Sequence, residues 1–183
     1  MRMPLQSATL IVGLTALVYA GFFFVNGLLF SVFDHAPGVM WIFIPSGVRL
    51  TNTLLFGRWG ALGIVLGSLM VAFQDPRLTD PLTVAVAALI SGFAPLLARQ
   101  ICLSLTDLKV DLDQLTAHSL LRVVLIFSSV NAALQQVWFA WRGHSDDVLS
   151  NFLIMCFGDI AGTLFVLYVG RGILALDARL RRG

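Results

Sequence analysis

Apolar positions dominate this chain, and the polar ones that interrupt them fall into short clusters. No charged residue occurs between Met3 and Phe33, and comparable apolar stretches recur to the end. A helix crossing a hydrocarbon core of about 30 Å needs roughly 20 mainly apolar residues. On that basis the pattern predicts an all-α integral membrane protein, a single domain of about six transmembrane helices over 8–32, 39–56, 60–74, 82–105, 118–141 and 149–173. The third is short. Pro37-Gly38, Gly57-Arg58-Trp59-Gly60, Asp75-Pro76 and Arg142-Gly143-His144 punctuate the connections. The first run exceeds the roughly 7–15-residue core of a signal peptide and reads as a retained helix.

Composition agrees: the 183 residues are 58% hydrophobic and 12% charged, too little charge for a soluble domain. The acids are all Asp, and the bases are all Arg except Lys109. A net charge of +2, with no basic cluster interleaved with aromatics, gives no footing for nucleic acid. With six helices both ends share a side. That side collects Arg2, Arg58, Arg99, Lys109, Arg122, Arg171, Arg179, Arg181 and Arg182, against Arg77 and Arg142 opposite. The positive-inside rule then places both termini in the cytoplasm. Residues 174–183 form a basic cytoplasmic tail facing anionic lipid, and the loop from about Thr106 to Ala117 lies at the membrane surface. No extramembrane stretch suffices for a kinase, cyclase or protease domain.

Charge inside the membrane changes the picture. Arg49 sits roughly 13 Å from the outer end of the second predicted helix, and Asp159 roughly 15 Å from that of the sixth. A charge at the bilayer centre costs about 2.5–3.5 kcal/mol even on the lenient insertion scale, so both should face the bundle interior. Ser128, Asn131, Gln135 and Arg142 share one face of the fifth helix, and Asn131 and Gln135 come at the same depth. Ser46 and Thr53 lie on the face of Arg49, as Asn151 and Met155 do on that of Asp159. The pattern predicts a polar pocket in the outer half of the membrane, built from Arg49, Asp159, Asn131, Gln135 and Ser46. The competing explanations are helix-to-helix adhesion, at about 0.6 kcal/mol per hydrogen bond, a purely structural salt bridge between Arg49 and Asp159, and a proton or ion path.

Gly63-x-x-x-Gly67, Gly158-x-x-x-Gly162 and Ala16-x-x-x-Ala20 are spaced for close helix packing. Cys102 and Cys156 lack metal-site spacing and read as apolar filler. His35, His118 and His144 are scattered. No nucleophile triad, phosphate loop or metal run appears, so no enzymatic activity and no cofactor is expected.

The stretch Trp41-Ile-Phe-Ile-Pro-Ser-Gly-Val-Arg-Leu, followed by Leu54-Leu-Phe-Gly-Arg-Trp-Gly-Ala-Leu-Gly-Ile-Val-Leu-Gly-Ser68, resembles the second and third helices of MASE1 domains. Gly158-Asp159-Ile-Ala-Gly162 is similar to that family's late Gly-Asp-x-x-Gly motif. The resemblance covers about a third of the chain, in the family's order. It implies a sensory or ligand-binding module of the bacterial inner membrane. Members are usually longer and fused to histidine kinase or diguanylate cyclase domains. A short, stand-alone variant would pass its signal to a partner protein. Arg49 stands where the family more often has a small or apolar residue.

Two other classes fit the same pattern. The length, helix number and topology are similar to those of substrate-binding components of energy-coupling-factor vitamin transporters, whose first helix docks through small residues such as Ala16 and Ala20. A structural subunit of a membrane complex, with the polar residues as a fold lock, is the third.

Overall fold

The computed structural model describes residues 5–72, 80–105 and 117–180. Six helices follow one another: α1 (Leu5–Phe30), α2 (Pro45–Phe56), α3 (Arg58–Ala72), α4 (Pro81–Leu105), α5 (Ala117–Trp141) and α6 (Val148–Leu180). Between α1 and α2 lie a short 3-10 turn, Ser31–Phe33, and two small strands, β1 (Asp34–Ala36) and β2 (Val39–Met40).

Segments in α1, α4, α5 and α6 are long and apolar enough to cross a membrane. Their surfaces carry the inverted pattern such helices need. On α6, Leu149, Leu153, Phe157 and Leu164 are exposed, whereas Asn151, Asp159 and Thr163 are buried. On α1, Leu10, Leu14 and Leu17 are exposed, and Thr15 and Asn26 are buried. Lipid solvates the first set, and the bundle satisfies the second. The chain is a multi-pass membrane protein.

The other two helices are shorter, as expected for the third but not for the second. α2 has 12 residues and α3 has 15, giving lengths of about 18 and 22 Å, short of a 30 Å core. They form a tight helical hairpin. Gly57 turns the chain at φ 56°, and a side chain at Gly60 would collide with the Asn52 carbonyl. α1 packs along α3, α3 on α4, α4 on α5 and α5 on α6, while α2 lies against α1, α3, α4 and α6. Its residues Pro45 to Leu50 are all buried.

The helix expected over 39–56 begins only at Pro45; residues 39–44 are non-helical. Proline lacks an N–H and suits the first turn of a helix, where Pro45 stands, although Pro95 inside α4 does not end that helix. Upstream, Val39, Trp41, Ile42, Phe43 and Ile44 are β-branched or aromatic and suit a strand. β1 and β2 pair antiparallel across Pro37-Gly38, where Gly38 takes φ 75° as a type II turn requires. At the far end, helix α6 continues through Leu180, so most of the expected tail prolongs that helix. The expected 106–117 loop falls outside the described residues except for Ala117, as do Arg77 and the Asp75-Pro76 connection.

Candidate functional site

Non-helical backbone inside a membrane bundle must find partners for its amides. The segment entering α2 finds them on α1 and α6. Phe43 N–H donates to the Gly158 carbonyl at 3.2 Å, and Ile44 N–H donates to Asn26 Oδ1 at 2.8 Å. Glycine makes this approach possible: a Cβ at Gly158 would strike the Met40 carbonyl, and one at Gly162 the Phe43 carbonyl and Ile44 amide. The Gly-Asp-x-x-Gly segment therefore receives non-helical chain, where helix-on-helix packing was expected. The other glycine pair meets a helix. Side chains at Gly63 and Gly67 would strike Thr15 and Ala16 of α1. Ala16 and Ala20 are both buried.

These two seams carry the walls around Arg49. Tyr19 of α1 contacts Gly67, and Phe43 sits in the Gly162 groove. Between them the Arg49 guanidinium lies 5.5 Å from the Tyr19 ring centre and 4.8 Å from that of Phe43. Both fall within cation–π range. Its Nη2 donates to the Tyr19 hydroxyl at 2.9 Å. Arg49 is only 5% exposed, yet its Nε and Nη1 have no hydrogen-bond partner among the described residues.

Arg49 faces a cavity of about 100 Å³. Tyr19, Phe23 and Phe43 line it on the Arg49 side, with Ser68 and Val71 of α3, Val84, Ala87 and Ser91 of α4, and Gln135 of α5. Met40 and Gly38 of the strand hairpin also line it, so it lies toward the hairpin end of the bundle. Gln135 Nε2 donates to the Ala87 carbonyl at 3.1 Å and to Ser91 Oγ at 3.3 Å. Ser68 Oγ and Gln135 Oε1 are buried and unpartnered among the described residues.

The expected site residues separate into two groups. Asn131 and Asp159 do meet: Asn131 Nδ2 donates to Asp159 Oδ2 at 2.6 Å. Ser46 joins them on the α6 side. Its Oγ lies 2.8 Å from the Asp159 carbonyl, 2.7 Å from the Phe43 carbonyl and 3.1 Å from Thr163 Oγ1. With one proton it donates to one carbonyl at a time. Arg49 and Gln135 belong to the cavity. Arg49 lies within electrostatic reach of Asp159 but makes no direct ion pair with it. A single level holding all four is thus a latch, Ser46–Asp159–Asn131, beside a cavity, Arg49–Gln135.

The periodicity of α5 also resolves into separate contacts. Asn131 reaches α6, Gln135 reaches α4, and Arg142 leaves the core to bond Asp80 at 2.8 Å. Asp80 caps α4, accepting from the Leu82 and Thr83 amides. Hydrogen bonds from the Thr83 hydroxyl and Arg142 hold its carboxyl down at about 2. His144 Nε2 is 3.9 Å from the same carboxylate. His35 and His118 are exposed.

Reasoning from the sequence missed Tyr19, Asn26, Ser68, Ser91, Gln136 and Thr163, all buried. Tyr19 and Asn26 are seven apart, one face of α1, and that spacing was a usable signal. Gln136 Oε1 accepts from Ser145, whose hydroxyl oxygen also accepts from Asn151, tying the α5–α6 turn. The small hydroxyl residues had no signal, because a Ser in an apolar helix can satisfy its own backbone.

No cluster of three or more His, Cys, Asp or Glu residues suited to a metal occurs among the described residues. Comparison with protein-family models, with curated proteins and with solved structures returns no match.

Proposed function

We propose that the protein is a membrane-embedded small-ligand-binding module of sensory or accessory type, which passes the occupancy of its cavity to a partner protein. One observation carries this reading: a buried arginine faces a cavity with two nitrogens unpartnered. An unmatched buried polar group costs about 1–3 kcal/mol, and a charged one more. A guanidinium retained only to hold helices together would be spent on the nearest carboxylate. Here Asn131 donates to one oxygen of that carboxylate, the other has no hydrogen-bond partner among the described residues, and Arg49 lines the cavity without pairing with either.

The segments that resemble MASE1 domains converge on this place. Trp41 to Leu50 supplies Phe43 and Arg49, Leu54 to Ser68 supplies Ser68, and Gly158 to Gly162 forms the groove that seats Phe43. In the proposed topology both termini are cytoplasmic, in a bacterial inner membrane. Residues 39–44 with α2 make one interrupted crossing, α3 contributes the next, and the cavity lies in the outer half. The transporter-component reading needs a free small-residue seam on α1. Ala16 and Ala20 are instead buried, with Ala16 against Gly67 of α3, which disfavours it.

The test is to purify the full chain in mild detergent and identify what accompanies it. A histidine kinase or cyclase whose output changes when the chain is removed supports the reading. An ATPase with a transmembrane coupling protein replaces it with the transporter reading. A C-terminus found outside by reporter fusion would overturn the topology.

A further inference from the structure

The chemistry around the cavity defines a ligand class, an inference that rests on the ligand-binding reading above. Arg49 supplies a positive charge with Nε and Nη1 unpartnered among the described residues. Among the described residues no acidic side chain lines the cavity, and Asp159, though within electrostatic reach, makes no ion pair with Arg49, so an anion can be matched there. The amides at the start of α2 are not the donors. Ser46 N–H and Gly47 N–H already donate to the Phe43 and Ile44 carbonyls.

Across the cavity, Gln135 presents the opposite need. The Ala87 carbonyl can only accept, so the Gln135 amide nitrogen must face it. That orientation leaves Oε1 as a buried acceptor without a donor. Ser68 Oγ, also unpartnered, can serve either role. Phe23, Val71 and Val84 close the remaining walls with apolar surface. Size gives a scale, the cavity being partly open. An engineered cavity of about 150 Å³ takes benzene, with its six heavy atoms, and this cavity has about 100 Å³.

We propose that the cavity binds a small 2-hydroxycarboxylate of glycolate size, its carboxylate on Arg49 and its hydroxyl donating toward Gln135 Oε1, with Ser68 completing the set. A hydroxyl fits better than an ammonium. An ammonium has three donors to satisfy and a charge to match, and no carboxylate lines the cavity among the described residues.

Isothermal calorimetry on the full chain in lipid nanodiscs, with four probes, tests this. Glycolate should bind; acetate, lacking the hydroxyl, should bind about tenfold more weakly. Glycolamide, lacking the charge, and glycine, carrying an ammonium, should bind at least tenfold more weakly than glycolate. Ser68→Ala should weaken glycolate about fivefold or more without lowering the thermal midpoint of the unliganded chain, because Ser68 Oγ has no hydrogen-bond partner to lose. Arg49→Lys, which keeps the charge, should retain more glycolate affinity than Arg49→Met. Equal affinity for acetate and glycolate overturns the hydroxyl assignment. Equal or tighter binding of glycolamide or glycine overturns the anion assignment. No binding of any probe by the wild-type chain overturns the inference as a whole and leaves the sensory reading to the copurification test. Glycolate binding with no partner found sinks that reading and leaves the ligand class standing.

Discussion

Helices α3 and α6 carry the same Gly-x-x-x-Gly spacing and receive different partners. Gly63 and Gly67 admit another helix, through Thr15 and Ala16 of α1. Gly158 and Gly162 admit the non-helical chain from Met40 to Ile44. The spacing specifies a smooth strip on a helix where backbone can approach. What approaches is decided by which neighbour has amides left to satisfy. In α1 the helix satisfies its own. Residues 40–44 are not helical, and the Gly158 carbonyl and Asn26 side chain take up the Phe43 and Ile44 amides. The α6 strip can therefore place an aromatic wall and the start of α2 deep in the bundle, and the α3 strip aligns the other wall, Tyr19.

Disturbing the two strips should have unequal effects. The largest is expected from Gly162→Ala, whose Cβ would meet only backbone, the Phe43 carbonyl and Ile44 amide. Overpacking typically costs about 1–3 kcal/mol, and an unyielding backbone neighbour puts this at or above the upper end. Gly63→Ala meets the Thr15 side chain first, as well as the Val12 carbonyl, and should cost about 1–2 kcal/mol. Unfolding in mixed micelles measures both, and equal losses would remove the distinction between the strips.

Next in size is Asp159→Asn. It removes the charge beside Arg49 and weakens the bond from Asn131, and should impair the module's function severely. Asp147→Asn is the control. Asp147 caps α6 through the Ser150 amide, and Asn caps nearly as well, so stability should change by less than about 0.5 kcal/mol. The readout is the output of the copurified partner; equal, negligible loss from both variants would remove the latch from the account of function. Gly67→Ala meets the Ala16 backbone as well as the Tyr19 ring, and should lower ligand affinity several-fold by displacing that ring, with a loss of about 1–2 kcal/mol in stability.

The smallest effect concerns acid at the start of α4, which lies on neither glycine strip. Asp80 lies at the hairpin end, outside the spans, and Thr83 and Arg142 hold its carboxyl at about 2 against an ordinary 3.8. A depressed carboxylate stabilises the fold above its unfolded value. That contribution is fully present above about pH 4 and fades as pH falls through about 2. Arg142→Gln should flatten part of this dependence, and added salt should weaken it, since the pair is partly exposed. A thermal midpoint that falls equally in wild type and variant over this range would remove Arg142 from the explanation.

Much of the site was legible as polarity in the wrong solvent. Arg49, Asn131, Gln135 and Asp159 stand out in apolar runs, and all four are buried. Their grouping was not legible, because equal depth does not say which helices adjoin. Arg49 could be assigned to Asp159 only by proximity, and proximity depends on where residues 39–44 run. Pro45 stands where prolines commonly open helices, a cue to a later start than 39, but hydropathy reads an apolar strand and an apolar helix alike.

The sequence by itself determined the lipid-facing surfaces, the four long apolar helices and the presence of polar groups that lipid cannot solvate. These follow from composition and short-range spacing, which one segment carries alone. The tertiary structure decided that α6 grips non-helical chain, that Tyr19 and Phe43 flank Arg49, and that Asn131 holds Asp159. Each of those depends on backbone groups distant in sequence finding one another, and no local pattern encodes which of several apolar neighbours will supply the partner.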